Sequence, residues 1–234
     1  MPASVPAALQ WAPGGTAAAI EPARVQAMDG ALWFVGGIQE ESVAAVRDAL
    51  EKDAGLRELW IHSSGGSVEA GMDLGSIVHE HGLAVRVLGL CASSCANYVF
   101  PAGSEKTILP GALVLWHGSL LQRGLGRNID WAAVEAKHGR PMGWLERWRW
   151  RRHLRERLRV GLERQEGFYE QLGVDGRITI LGQEQRCHCN WTVSLEDMAA
   201  FGIRNVIASQ NYAMPGYAEL TAVPWRRITR DDQP

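Results

Sequence analysis

Short strand patterns alternate with helical patterns from residue 31 onward, and this alternation restricts the fold more than any other feature of the sequence. Residues 31–35 form a continuous apolar run typical of a buried strand, and residues 40–52 carry apolar side chains at helical spacing. A strand pattern follows at 59–61, a helical one at about 67–81 and another strand at 84–88. This alternation predicts an α/β fold with a largely parallel sheet, whose functional loops follow the carboxyl ends of the strands.

The composition is that of an ordinary globular protein. The 234 residues are 46% hydrophobic and 21% charged, and the formal net charge is −2. A chain of this length buries enough apolar surface to fold without a disulfide or metal staple. The near-neutral charge gives no global field that would favour nucleic acid or an anionic membrane. No apolar run approaches the roughly 20 residues that span a bilayer.

We expect one folded domain at residues 29–210, after an irregular arm at 1–28 that includes at most a short lead-in strand. A tail at 211–234 follows it. Residues 140–164 stand apart as an insertion, because they hold nine Arg, three Glu and three Trp, for a local charge of +6. The insertion predicts a long helix.

The apolar side chains of this predicted helix can share one face. They are Trp144, Trp148, Leu154, Leu158 and Leu162. The face can pack on its own domain or on a sister subunit. Alternatively, the basic aromatic helix can contact a membrane or an acidic partner. Nucleic acid is not expected as a partner, since no recognised binding module surrounds the helix.

A double glycine lies between the strand at 59–61 and the next helix, in the segment Ser64-Gly65-Gly66-Ser67-Val68. Bare backbone amides at such a loop can point at an anion. Gly66 and Gly71 have the spacing of a P-loop, but Met72 and Asp73 replace its Lys and Ser/Thr, which argues against nucleotide binding. The loop therefore predicts either donors to a transient oxyanion or a plain tight turn.

A second strand-to-helix junction carries Ser94. Ala92 and Ala96 lie two residues to either side and resemble the small neighbours of a nucleophile elbow, although the glycines of G-x-S-x-G are missing. Most serines at helix starts act as caps, and Ser93 is the residue expected to cap here. Cys95, one position after Ser94, is an alternative nucleophile.

His117 directly follows the apolar run 112–116 and precedes a glycine. An imidazole at a strand end can act as a general base, while a lone histidine is more often a structural hydrogen bonder. Acyl transfer needs a nucleophile, a base within reach and amides where negative charge develops. The loops after three predicted strands supply one candidate for each of these roles.

The order and spacing of these pieces resemble the proteolytic subunit of Clp protease and its relatives in the Clp/crotonase superfamily, including bacterial extracytoplasmic Clp-like proteins and signal peptide peptidases. The resemblance covers about residues 30–207. Its strongest parts are the glycine loop at 64–68, the stretch from Ala92 to Gly103, and His117, which lies 23 residues after Ser94. It implies a spiral of ββα units with a largely parallel sheet.

The same resemblance implies a serine peptidase that works through an acyl-enzyme. Ser94 would be the nucleophile and His117 the general base, with the amides of Gly66 and Cys95 as the oxyanion hole. Counting back from the family's final helix places Asn190 where these peptidases usually carry Asp. Asparagine can orient the imidazole by accepting from its ring N–H, but it cannot stabilise imidazolium by charge.

The sequence departs from the family pattern at several points. Ser64 stands where a proline is common, and about 20 extra residues precede Asn190. Glu196 and Asp197 are acidic alternatives for the third triad member. Two other functions stay open: a catalytically inactive Clp-like interaction module, and a crotonase-type acyl-CoA enzyme. The resemblance further implies a homo-oligomer that acts on a peptide or protein substrate without a cofactor.

The four cysteines form two close pairs, and the sequence does not rank their pairings. Cys91 and Cys95 flank the serine at a spacing that suits a disulfide, as in the extracytoplasmic Clp-like branch. Cys187, His188 and Cys189 offer three zinc ligands but lack the usual C-x2-C spacing. Two pairs indicate an oxidising compartment. An extracytoplasmic, periplasmic location is therefore expected if a signal peptide is missing from this chain, with the cytoplasm as the alternative.

Overall fold

The computed structural model describes residues 21–187, 189–217 and 224–230. It shows an α/β fold with a seven-stranded, mostly parallel sheet and a separate two-stranded sheet. The strands are Arg24–Met28 (β1), Ala31–Val35 (β2), Glu58–Ser63 (β3), Ala84–Ala92 (β4), Lys106–Ile108 (β5), Leu113–Leu115 (β6), Asn190–Thr192 (β7), Val206–Ile207 (β8) and Trp225–Arg227 (β9). The helices are Glu40–Lys52 (α1), Val68–Glu80 (α2), Phe100–Ala102 (α3), Trp131–His138 (α4), Trp144–Leu172 (α5), Leu181–Glu184 (α6) and Leu195–Ala200 (α7), with a π-helical turn at Cys95–Val99 and a 3-10 turn at Gly176–Thr179.

β4 is the strand that organises the large sheet. It pairs in parallel with β3 on one side, while on the other its first half pairs with β5 and its second half with β6, also in parallel. β2 and β8 extend the sheet in parallel, and β1 alone is antiparallel. The predicted α/β fold with a largely parallel sheet is therefore confirmed.

The core explains why the first strands and helices form where they do. All five residues of β2 are buried, because Leu32 and Phe34 enter the main core while Trp33 faces the other side of the sheet. There Trp33 stacks on Trp60 of β3 with ring centroids 4.9 Å apart. On the main side, α1 buries Val43 and other residues at helical spacing. Such burial is worth about 1.5–3 kcal/mol for each large apolar side chain.

Two strands lie in the segments expected to flank the domain. β1 (Arg24–Met28) lies within residues 1–28, where an irregular arm or a short lead-in strand was expected, and it pairs with β2; residues 1–20 lie outside the described part of the chain. β9 (Trp225–Arg227) lies inside the expected tail and pairs in parallel with β7. The ordered domain therefore uses residues from both of its predicted flanks.

The arginine-rich helix is longer than predicted, and less of its surface is buried against the domain. α5 spans Trp144–Leu172, and its buried residues, Gln165, Phe168 and Tyr169, all lie near its C-terminal end. Trp144 is 82% exposed, so the packing of a complete apolar stripe on the domain is not observed. None of the helices in the described ranges is long and apolar enough to cross a membrane.

Candidate active site

The three strands that carry the predicted site residues end at one edge of the sheet. Ser63 of β3 pairs with Cys91 of β4, and Ala92 of β4 pairs with Leu115 of β6. Because these parallel strands are in register at their carboxyl ends, the loops that follow them lie next to one another. The glycine loop, the serine turn and the histidine segment therefore meet at the same edge.

The glycine loop is held against the end of β2 by two backbone hydrogen bonds. The Ile38 amide donates to the Gly65 carbonyl, and the Ser67 amide donates to the Ile38 carbonyl, both at 2.9 Å. In a parallel ladder this pattern turns the N–H of the residue between them, Gly66, away from Ile38. The Gly66 amide therefore points towards the side of the sheet where β4 leads into Ser94.

Glycine is required at Gly65 by a close approach to the serine turn. Its φ is +95°, and a Cβ there would lie 2.7 Å from the Ala92 carbonyl oxygen and 2.9 Å from the Ser94 nitrogen. Only a residue without a side chain fits this conformation and this gap. The two loops are thus in direct backbone contact.

Ser94 precedes the π-helical turn without capping it. Its hydroxyl makes no capping hydrogen bond, is buried, and has no partner among the described residues. Ser93 is the residue in the left-handed region, with φ +57°; its amide donates to the Leu115 carbonyl at 3.0 Å, and its carbonyl accepts from the Asn97 amide at 2.8 Å. Cys95 begins the turn, where an amide has no intrahelical acceptor. Single π-helical turns are common at functional sites.

Ser94 is sealed beneath α2. A Cβ on Gly71 would lie 2.8 Å from the Ser94 Cβ and from the Tyr98 ring, and 3.4 Å from the Ser94 Oγ. The serine is 1% exposed. Gly71 therefore makes the space that the hydroxyl occupies, and a molecule from solvent could reach the hydroxyl only after a local movement.

His117 lies at this edge but makes no hydrogen bond to the Ser94 hydroxyl. The residue is exposed, and its ring has no hydrogen-bond partner among the described residues. Main-chain bonds hold its segment, because the Gln183 side chain donates to the His117 carbonyl at 3.0 Å and the Asn97 side chain donates to the Gly118 carbonyl at 2.9 Å. Hydrogen bonds therefore hold the backbone at His117, but none holds its imidazole ring among the described residues.

Asn190 lies opposite His117. Trp116 and Trp191 exchange two backbone hydrogen bonds of 2.8 Å as an antiparallel bridge. The residue after Trp116, His117, therefore lies across from the residue before Trp191, Asn190. The Asn190 amide group donates to the Pro224 carbonyl at 3.1 Å rather than contacting the imidazole. The predicted pair is adjacent in register without a hydrogen bond between the side chains.

The acidic alternatives to Asn190 have other environments. The Asp197 carboxylate accepts from the Ser194 hydroxyl at 2.9 Å, and the Asp197 amide donates back to that hydroxyl oxygen at 3.0 Å at the start of α7. The carboxylate also accepts from the Arg230 amide. Glu196 is exposed on the same helix. Among the described residues, neither carboxylate bonds to His117.

The interior around Ser94 is uncharged. Burial raises the pKa of Tyr98 well above its usual range, and the Tyr98 hydroxyl donates to Gln165 at 2.6 Å. Burial lowers the pKa of His62 to about 4, and its Nδ1 accepts from the Leu90 amide at 3.2 Å. Both side chains are neutral near pH 7.

Both cysteine pairs are disulfides in the structure. Cys91 and Cys95 are joined with their Cα atoms 5.2 Å apart, so the Cys95 thiol is not available as a nucleophile in this form. Cys187 and Cys189 are also joined, which removes both thiolates from the alternative zinc site. The third candidate ligand, His188, lies outside the described residues, and the rest hold no group of side chains suited to a metal ion.

Two polar residues of the site were not identified from the sequence. Asn97 and Gln183 both bond to carbonyl groups of the His117 segment, and the Asn97 Oδ1 is buried without a partner among the described residues. A signal for Asn97 was present, because an amide in the otherwise apolar stretch after Ser94 needs a polar partner. Gln183 gave no such signal, since its contact joins segments 66 residues apart.

No model of a known protein family matches the chain, and no curated protein matches it at a significant level.

Proposed function

We propose that this chain is a serine hydrolase of the Clp/crotonase type that cleaves peptide bonds through an acyl-enzyme. The observation that carries the proposal is the buried hydroxyl of Ser94, which has no hydrogen-bond partner in the described structure and lies beside the glycine loop. An unsatisfied buried hydroxyl costs about 1–3 kcal/mol. A catalytic role explains why this serine is present where alanine would fit at lower cost.

The chemistry follows from the positions at the sheet edge. His117 takes the proton from the Ser94 hydroxyl, and the oxygen attacks the carbonyl carbon of the substrate. The amides of Gly66 and Cys95 donate to the resulting oxyanion. His117 then gives its proton to the leaving amine, and water hydrolyses the acyl-enzyme. Asn190 orients the imidazole without adding a charge.

The structure corresponds to a resting arrangement in this proposal. Ser94 is sealed beneath α2 and the His117 ring is exposed, so the ring has to rotate inward and the serine turn has to open. Catalytic hydrogen bonds are often absent from unliganded structures and form when substrate binds. The backbone anchors from Asn97 and Gln183 leave the ring able to make that rotation.

A non-catalytic interaction module is the second candidate function. Two observations favour it: Ser94 is sealed, and the Asn190 side chain donates to the Pro224 carbonyl instead of contacting His117. In this case the fold is kept as a scaffold, and the hydroxyl is never presented to a substrate.

A fluorophosphonate probe distinguishes the two functions. Under the proposal the full-length protein is labelled, Ser94→Ala lowers the labelling rate at least about 100-fold, and the matched control Ser93→Ala changes it little. His117→Ala should also abolish labelling, whereas Asn190→Asp should raise peptide turnover at least about tenfold, because a carboxylate stabilises the imidazolium. Absence of labelling in the wild type supports the module, and labelling that persists in Ser94→Ala refutes the assignment of Ser94.

A further inference from the structure

The residues 131–161, comprising α4 and the first part of α5, form a helical hairpin that we call the basic arm. Its two helices pack through Trp131, which meets Trp150 edge to face with centroids 5.5 Å apart. Arg147 and Arg151 place their guanidinium groups 5.2 and 5.1 Å from the centre of the Trp131 ring. One side of α5 is therefore covered by α4.

A neighbouring face of α5 is open. The helical repeat places these side chains on it: Trp144, Trp148, Arg152, Arg155 and Arg159. Trp144 is 82% exposed and Trp148 is 49% exposed. The Arg152 guanidinium lies 5.9 Å from the centre of the Trp148 ring, and a shallow groove joins Trp148 to the three arginines and Glu156. The face thus combines exposed indoles with guanidinium groups.

Most of the arginines at the start of α5 are not neutralised by the rest of the chain. The residues Arg149, Arg151, Arg152 and Arg155 form no salt bridge with any described residue. Farther along α5, by contrast, Arg157 and Arg164 pair with Glu69 and Asp73 on α2. Arg159 pairs with glutamates of its own helix.

The charges of the arm and the body have opposite signs. The arm, residues 131–161, holds eight Arg and one Lys against three Glu, so it carries +6 of a chain total of −2, which leaves −8 for the remainder. An anionic surface would attract the arm and repel the body, and so would orient the molecule with its arm towards that surface.

We propose that the basic arm docks on an anionic lipid surface. Its exposed indoles, Trp144 and Trp148, would lie at the level of the headgroups, where tryptophan is enriched at membranes. Arg152 and Arg155 would contact the lipid phosphates, since basic side chains are drawn to anionic leaflets. A purely electrostatic partner such as duplex nucleic acid leaves the indoles and the neighbouring Leu145 in water, whereas a lipid interface removes them from it. The inference does not depend on the proposed hydrolase chemistry.

Vesicle flotation of the full-length protein tests the proposal. We expect the wild type to bind vesicles that contain phosphatidylglycerol and not vesicles of phosphatidylcholine alone, and to lose binding as salt is added. Trp144→Ala with Trp148→Ala should lower the partition coefficient at least about tenfold. Arg152→Glu with Arg155→Glu should lower it by about fivefold or more for each arginine.

Matched controls lie on the body of the protein. Ile207 and Met214 are exposed apolar residues away from the arm, and the pair Ile207→Ala with Met214→Ala should leave binding unchanged. Arg47→Glu with Arg226→Glu makes the same change in charge on exposed positions of the body and should retain most of the binding. Circular dichroism of each variant shows that it is folded.

Three results would overturn the proposal. The first is equal binding to neutral and anionic vesicles, or no binding to either by folded protein. The second is an effect of the tryptophan substitutions on self-association in sedimentation with none on flotation, which assigns the face to a second copy. The third is tighter binding to duplex DNA than to anionic vesicles, lost in the same variants, which assigns it to nucleic acid.

Discussion

The edge of the sheet around Ser94 and the basic arm are opposite kinds of surface in one chain. Around Ser94, backbone segments approach so closely that glycine is required, and the hydroxyl is sealed from solvent. On the basic arm, large aromatic and charged side chains are exposed and few are buried. Steric fit decides which residues are tolerated around Ser94, whereas charge and exposure to solvent decide the properties of the basic arm. Substitutions should therefore change stability at the edge and recognition at the arm.

The largest difference is expected between adding one methyl group at the sheet edge and adding one to α5 just beyond the basic arm. A Cβ on Gly66 would lie 2.1 Å from the Ile38 carbonyl oxygen, so Gly66→Ala should cost at least about 3 kcal/mol of unfolding free energy. Gly167 of α5 has no atom within 4 Å of such a Cβ. Gly167→Ala should therefore stabilise the protein by about 0.5–1 kcal/mol, because alanine favours helix. Urea denaturation measures both, and equal effects would contradict the comparison.

Acid should destabilise the body through His62. Its pKa falls from 6.5 to about 4 on folding because the ring is buried, so the native state resists protonation. The free energy of unfolding is therefore not reduced by His62 above pH 6.5. As the pH falls towards 4, protonation of the unfolded state lowers it by up to about 3 kcal/mol. His62→Gln should give a flatter stability profile over this range in urea denaturation. A variant profile parallel to that of the wild type would remove His62 as the cause.

Loss of the disulfide beside Ser94 should have an intermediate effect. Cys91 and Cys95 close a short loop, and the chain-entropy relation gives about 2 kcal/mol for joining residues four apart. Cys91→Ala with Cys95→Ala should lower the melting temperature by about 4–8 °C in calorimetry. The variant should also respond less to reductant than the wild type does. An unchanged melting temperature would show that the packing beneath α2 suffices without the bond.

The smallest difference concerns two arginines that each bind two carboxylates. Arg86 is 20% exposed and bonds to Glu58 and Glu105 within the sheet, whereas Arg159 is 54% exposed and pairs only within α5. Arg86→Met should cost about 1–2 kcal/mol, because it removes the guanidinium from two partly exposed carboxylates and leaves Glu58 with its hydrogen bond from Trp60. Arg159→Met should leave the free energy of unfolding nearly unchanged, since solvent screens exposed pairs. Urea denaturation tests whether burial decides the size of the effect.

Elements with a strong local pattern could be predicted from the sequence. The strand Ala31–Val35 and the helix Glu40–Lys52 have the predicted bounds, because the apolar spacing within each segment decides which side chains are buried. The end of α5 at Leu172 was not predicted, since its last turns are stabilised by Phe168 and Tyr169 packing against distant parts of the core. Local spacing does not show such contacts.

The candidate site likewise has features that the sequence predicted and features that it did not. The sequence indicated that Ser94 and His117 follow neighbouring strands, and their loops do lie at one edge of the sheet. It gave no sign that Gly71 of α2 lies against the serine and closes it off, or that Pro224 accepts a hydrogen bond from Asn190. These contacts join segments that are 23 and 34 residues apart, and their distances depend on how whole elements pack.

The sequence by itself determined the alternation of strands and helices, the glycine and serine loops at the strand ends, and the concentration of arginine in one segment. These properties follow from the order of side chains along the chain. Only the tertiary structure decided that the Ser94 hydroxyl is sealed, that His117 lies exposed opposite Asn190, and that Trp144 and Trp148 of the basic arm face solvent. The burial of a side chain and its distance from another side chain depend on how the elements pack, because the surrounding atoms come from remote parts of the chain.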